Sequence, residues 1–313
     1  MEVNTPIADD IHATDKKAQY DAACKKLLSQ KIILAWILKS CLKEYRNCGV
    51  KEIAEKYIEG TPQVSEVAIA PDETNAPRIR GIGSQDTSLT ESSSAYDIRF
   101  MASAPSSDDL IQMIVNVEAQ GVTPSYPLVK RAIFYCGRMI TAQNGTEFVH
   151  SEYQKLKKVV SIWVCMVPPN ERRNSITRYH LTEENLVGNV KEPFQNYDMI
   201  DVVMVCLGGE GRENYDGVLK LLDVLLSPKA GETKKRQVLQ NEFGIPMTET
   251  LEAEVHQMCN LSEGVRELGR SEGLLASIRA LMASMGWSAE QAMEALKLPE
   301  TDRPKYADLL QKQ

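Results

Sequence analysis

No uninterrupted apolar stretch in this 313-residue chain approaches the roughly 18 residues that a membrane-spanning helix needs, so no membrane partner is expected. The opening MEVNTPIADDIHATDKK lacks a basic start, an apolar core and a small-residue cleavage site. No signal peptide is therefore expected, and a cytoplasmic location is. A CxxC pair is also missing. The seven cysteines are odd in number and lie mostly in apolar, helix-like or strand-like contexts. They read as buried free thiols in a reducing compartment rather than as a disulfide framework or a zinc ribbon. Histidine is scarce: His12, His150, His180 and His256 are scattered without metal-ligand spacing, which leaves little for a zinc site or a histidine base.

Positive charge is in deficit overall, at a net −7, which argues against a coating of nonspecific nucleic-acid affinity. The deficit is uneven along the chain. Residues 61–120 carry net −6 and residues 121–180 carry net +6, so the basic excess is local and follows directly on an acidic block. Phosphate binding beside a metal site suits that juxtaposition, as do solvated helix faces.

What is present is an alternation of helical and strand periods. Residues 21–45 repeat apolar side chains at helical spacing and predict one helix. VSEVAIA at 64–70 reads as a first strand, and the Pro, Asn, Gly, Ser and Thr rich stretch 71–95 as a long loop or hairpin. YDIRFMA (96–102) and LIQMIVNVEAQ (110–120) are strands joined by the turn chemistry of SAPSSDD, and together they predict an antiparallel hairpin. LVKRAIFYCGRMITAQ (128–143) reads as an amphipathic helix with Val129, Ala132, Ile133, Cys136 and Ile140 inward. Arg131, Tyr135 and Arg138 share another face, with Lys130 beside them. VVSIWVCMV (159–167) has the continuous apolar pattern of a strand covered on both sides, and SITRYHLTE and DVVMVCLG add two more. From about 215 the chain turns helical. Gly264, Gly269 and Gly273 each cost a helix about 1 kcal/mol, which predicts a loosened or hinged segment. Gly286 stops a helix, Ser288 with Gln291 forms a capping box, and Pro299 with Thr301 precedes a last helix. Three segments follow: a domain over 1–212, a helical connector over 213–273 and a small helical tail over 274–313 suited to packing or self-association.

The hairpin carries the chemistry. Side chains alternate along a strand, so Asn116, Glu118 and Gln120 share one face. If Asp97 opposes Glu118, the hairpin centre falls between Ser107 and Asp108, inside the turn. Two ionised carboxylates that close repel by about 4 kcal/mol at the effective dielectric typical of pairs near a protein surface. Three devices can offset this: protonation of one, an arginine (Arg99 or Arg78) between them, or a shared divalent cation.

The order helix, strand, long segment, Asp-bearing strand, turn, E-x-Q strand, basic helix and apolar strand resembles the PD-(D/E)XK nuclease superfamily. More closely, YDIRFMA, IVNVEAQ, YPLVKRAIFYCGRMITAQ, KKVVSIWVCMVPP and SITRYHLTEEN are similar to the Rpn (recombination-promoting nuclease) or PD-(D/E)XK nuclease family transposases of bacteria. The similarity covers roughly residues 20–210, and MCNLSEGV with SIRALMASMGWSAEQAMEALKLPE extends it into the tail. The resemblance implies an α/β fold with a restriction-endonuclease-like core, a mixed central sheet flanked by helices, and a helical C-terminal region. It implies a metal-dependent DNA endonuclease in which Asp97, Glu118 and the backbone carbonyl of Ala119 hold Mg²⁺ or Mn²⁺. Gln120 stands where the superfamily usually has lysine; it can orient a water or the phosphate but supplies no positive charge. Lys130, Arg131 or Arg138, with Tyr135, are the candidates for binding nucleic acid and restoring that charge.

Each residue also has a plainer reading. Asp97 pairs with Arg99 or solvent; Gln120 is a strand-end hydrogen bonder; the α-helical arginines form a solvated face. Glu44 at a helix end, and Asp86 and Glu91 in the long loop, are accessory candidates that equally read as surface acids. The rival function is a non-catalytic nucleic-acid-binding or assembly protein on the same scaffold.

Overall fold

The computed structural model describes residues 18–64, 85–86, 94–95, 97–106, 110–121, 123–209 and 211–311. Asp21–His256 form one compact unit, and Gln257–Gln313 belong to a second. The first unit extends beyond the boundary expected at 212, because the helices after the last strand pack back on it: Phe243 meets Trp36 edge to face at 5.1 Å.

The first unit is α/β, built on a six-stranded mixed open sheet. The strands are β1 (Gln63–Val64), β4 (Ile98–Pro105), β5 (Leu110–Gln120), β6 (Lys158–Cys165), β7 (Ser175–His180) and β8 (Ile200–Cys206). A separate short ladder pairs β2 (Gln85–Asp86) with β3 (Ser94–Ala95). The sheet order is β1-β4-β5-β6-β8-β7, with β5, β6 and β8 parallel and the outer pairs antiparallel. β6 is buried along its whole length, as its unbroken apolar run requires of a strand covered on both faces. Of the strand expected at 64–70, Val64 belongs to β1 and residues 65–70 lie outside the described residues.

Residues 18–28 form helix α1 and Lys31–Cys41 form α2. The single helix expected over 21–45 is therefore two. The break falls at Ser29 and Gln30, where the Ser29 hydroxyl donates to the Lys26 carbonyl at 2.7 Å and Gln30 donates to Glu254 at 2.7 Å. The Ser29 bond is local and competes with the helical ladder, whereas the Gln30 bond ties the break to a helix distant in sequence. A short α3 (Val50–Glu52) runs into a wider turn over Ile53–Tyr57. α4 (Leu128–Thr141) makes the crossover from β5 to β6 and covers one face of the sheet; α5 (Phe194–Tyr197) precedes β8. α6 (Gly217–Leu226) is buried along most of its length, and α7 (Glu232–Gln237) follows it.

α4 packs on the side expected from the sequence, with Val129 and Ile140 partly buried against the core, and departs from it at Ile133 and Tyr135. Ala132, Tyr135, Cys136 and Met139 are buried against Ile114, Trp163, Val202 and Met204, whereas Ile133 is 52% exposed. Tyr135 packs its ring on Trp163, centroids 5.5 Å apart, and so takes up the space at the edge of the face where Ile133 was expected.

The opposite face of the sheet holds a buried ionic cluster at the N-terminal ends of β6 and β8. Lys158 lies 2.7 Å from Glu44, 2.8 Å from Asp198 and 2.8 Å from Asp201, and Arg178 pairs with Asp201 at 2.7 Å. Burial alone would raise the Asp198 pKa; the hydrogen bond and charge of Lys158, with Lys43, hold it below the ordinary carboxylate value. Removing one partner strands buried charge, so Lys158→Met should cost about 3–5 kcal/mol, read as a lower urea midpoint at unchanged slope.

In the second unit, α8 (Glu249–Met285, begun within the first) runs unbroken through Gly264, Gly269 and Gly273, so the loosened segment expected there is regular helix. Gly286 ends it at φ +65°, a left-handed conformation that glycine adopts without strain. Both bonds of the expected capping box form, Gln291 N–H to the Ser288 hydroxyl at 3.2 Å and Ser288 N–H to the Gln291 side chain at 2.9 Å, opening α9 (Ala289–Ala295). α10 (Arg303–Gln311) closes a small core of Ile278, Ala292, Met293, Leu298 and Tyr306. Among the described residues no helix is long and apolar enough to cross a membrane.

Candidate active site

The hairpin pairs in the expected register, Ile98 opposite Val117, so Asp97 sits beside Glu118 one step beyond the ladder. Each carboxylate is held by the other strand's backbone. Asp97 N–H donates to Glu118 Oε1 at 3.2 Å, and Ala119 N–H donates to Asp97 Oδ2 at 2.9 Å. The Asn116 amide adds a second donor to Glu118 Oε1 at 2.9 Å. A residue's N–H and C=O point to the same strand edge, so the Ala119 carbonyl also faces the Asp97 side.

Both acids are nearly buried, Asp97 8% and Glu118 4% exposed. Burial raises the Glu118 pKa well above the ordinary value, and the charge of Asp97 raises it further against the opposing hydrogen bonds and Arg131. Burial raises Asp97 too, opposed by Lys25 and the Ala119 N–H.

The cation on Asp97 is one that sequence reasoning missed. Lys25 of α1, 3% exposed, places its ammonium 3.0 Å from Asp97 and 2.7 Å from Asp21. Burial alone would lower its pKa, and the two carboxylates more than offset that, holding it above the ordinary lysine value. The available signal was a lysine flanked by Cys24, Leu27 and Leu28 on the buried stripe of a helix, with an aspartate four residues before it.

A second cation approaches Glu118 from α4. Arg131 is half-buried, hydrogen-bonded to Tyr135 at 2.8 Å and Tyr126 at 2.8 Å, and its guanidinium lies 5.5 Å from the Trp163 ring. Tyr135 is buried, and burial with the charge of Glu118 pushes its pKa up to about 12. The face expected to bind nucleic acid, or on the plainer reading to be solvated, is thus turned into the protein at Arg131 and Tyr135. Arg138 is partly buried; Lys130 is exposed. Gln120 ends β5, partly buried, and lines a cavity of about 220 Å³ with Tyr126, Cys165 and Arg172. Arg99 is buried and lines a separate cavity of about 270 Å³ with Glu59 and Met101.

Glu44 is not part of the site. It bonds Lys158, the register partner of Met113, five residues or roughly 16 Å along β5 from Glu118 and on the other face. A lone acid at a helix end carries no signal of which end of the sheet it will reach. Asp86 lies in the β2–β3 ladder, and Glu91 lies outside the described residues.

Among the described residues no group of three or more His, Cys, Asp or Glu side chains is arranged to hold a metal. Two carboxylates with a carbonyl and water still match Mg²⁺, which is commonly bound through one or two carboxylates. One observation fits a missing electropositive partner: Asn116 is fully buried and its Oδ1 has no hydrogen-bond donor. No family model, curated protein or solved structure matches the chain.

Proposed function

We propose that the chain is a metal-dependent DNA endonuclease of the PD-(D/E)XK kind, resembling the Rpn and nuclease-family transposases, acting in recombination or mobile-element biology. The observation that carries this reading is the Asp97–Glu118 pair, two nearly buried acids held side by side by reciprocal backbone bonds. Burying two like charges together costs stability without assisting the fold, and such strain is characteristic of functional sites.

Asp97, Glu118 and the Ala119 carbonyl are the groups that would hold Mg²⁺ or Mn²⁺. The ion, when bound, supplies Lewis acidity toward the scissile phosphate and toward a water. The chain's own residues do the rest. Lys25 anchors Asp97, Arg131 brings positive charge toward Glu118, and exposed Lys130 is available to the DNA backbone. The Gln120 amide is placed at the strand end to orient water or phosphate by hydrogen bonding.

Supercoiled plasmid incubated with the purified protein should be nicked in Mg²⁺ or Mn²⁺ and left intact in chelator. Wild-type protein that cleaves neither DNA nor RNA with either ion would overturn the reading. The rival, non-catalytic nucleic-acid binding, is favoured by two features: Gln120 brings no charge, and Lys25 already compensates Asp97. DNA binding indifferent to chelator and to Glu118→Ala, with no products, would identify it.

A further inference from the structure

Three parallel strands end in a row of side chains on one face. Gln120 of β5 is the register partner of Cys165 of β6, and Cys165 is the register partner of Cys206 of β8. Both cysteines are free, lie in the core beneath α4, and line the cavity shared with Gln120, Met204 and Arg172. Neighbouring strands lie about 4.8 Å apart, inside the Cα separation of roughly 4.4–6.8 Å that a disulfide spans. In-register side chains project the same way, so the two sulfurs need little backbone movement to meet.

We propose that Cys165 and Cys206 form a dithiol modification site that a small hydroperoxide entering this cavity oxidises to an intramolecular disulfide. The two thiols are unequal. The hydrogen bond from Cys165, against the opposing effect of burial and helped by the charge of Arg172, lowers Cys206; the same bond, with burial, pushes Cys165 up. Cys206 lies between Cys165 and Ser175 in register, so it has a polar neighbour on each side; it is the attacking sulfur and Cys165 the resolving one. The Cys206 thiolate attacks a peroxide oxygen, the O–O bond breaks, and the departing oxygen leaves as water or alcohol after taking a proton. Cys206 is left as a sulfenic acid. The Cys165 sulfur then attacks Cys206, the S–O bond breaks, and hydroxide leaves with the Cys165 proton as water. Two electrons pass from the pair to the peroxide, and the site does not depend on the nuclease reading.

The test uses the full-length chain carrying Cys259→Ser, which removes the most exposed of the cysteines. Dilute hydrogen peroxide should consume two thiols, counted after denaturation, and yield one dithiothreitol-reversible cross-link between the peptides of Cys165 and Cys206. In Cys165→Ser, a sulfenic acid trappable by dimedone should persist at Cys206; in Cys206→Ser, Cys165 should stay reduced. Unsubstituted protein should also bind phenylarsine oxide one to one, protecting this pair from alkylation, a readout that needs no variant to fold. Thiols untouched by peroxide, a cross-link elsewhere, or arsenical bound at other cysteines would each overturn the proposal.

Discussion

Glu118→Gln should reduce metal-dependent nicking about a thousandfold and, at the same time, raise the melting temperature of the metal-free protein at neutral pH. The first effect follows from losing a charged ligand, since a metal's charge stabilisation is worth several kcal/mol and each 1.36 kcal/mol is tenfold in rate. The second follows from the raised pKa of Glu118, caused by burial and by Asp97. A carboxyl group with a higher pKa folded than unfolded holds its proton longer in the native state. Its contribution is neutral below the unfolded value of about 4.3 and increasingly unfavourable as pH climbs toward the folded value. Glutamine keeps an oxygen for the Asp97 and Asn116 donors and carries no charge to bury. Thermal melts of both proteins from pH 4 to 8 should coincide at the acid end and separate toward neutrality, the variant melting higher. Added Mn²⁺ should stabilise only the wild type. A variant less stable than wild type at pH 8, or one still stabilised by Mn²⁺, would remove Glu118 from the site.

Lys25→Met should destabilise the protein by about 3–5 kcal/mol, because it leaves Asp97 and Asp21 without the ammonium they share. Methionine matches the length of the stem, so the loss is chiefly of charge. The diagnostic is partial recovery. Adding Asp97→Asn to the Lys25→Met protein should restore stability, since the uncompensated carboxylate is then gone, and the double-mutant cycle should show strong coupling. Divalent ions should stabilise Lys25→Met more than wild type, a dication replacing the missing positive charge beside Asp97. Additive losses in the cycle would mean that Lys25 acts by packing alone.

Much of the site's frame was legible because it is local. Period-two alternation and a turn centred between Ser107 and Asp108 place Asp97 against Glu118, and the observed Ile98–Val117 pairing has that register, although the turn expected over 103–109 is shorter because Ser103, Ala104 and Pro105 continue the β4 ladder. The capping box at Ser288 is equally local. The edge of the α4 packing face was not legible: Ala132 and Cys136 are buried and Val129 and Ile140 pack against the core as expected, but Ile133 is as apolar as they are and is turned out, while Tyr135 is turned in against Trp163. Glu44 went astray for a related reason: an acid's partner is set by the chain that folds over it, here Lys158, which is 114 residues away.

By itself the sequence determined the hairpin, its register and the placing of two acids on one strand face, since these depend on side-chain period and turn chemistry within about twenty residues. The tertiary structure alone decided what compensates those acids. Lys25 reaches Asp97, Arg131 turns toward Glu118 and Glu44 is carried to the far side of the sheet. Each depends on how helices distant in sequence settle on the sheet, where burial makes an unpaired charge too costly to leave and so selects the partner.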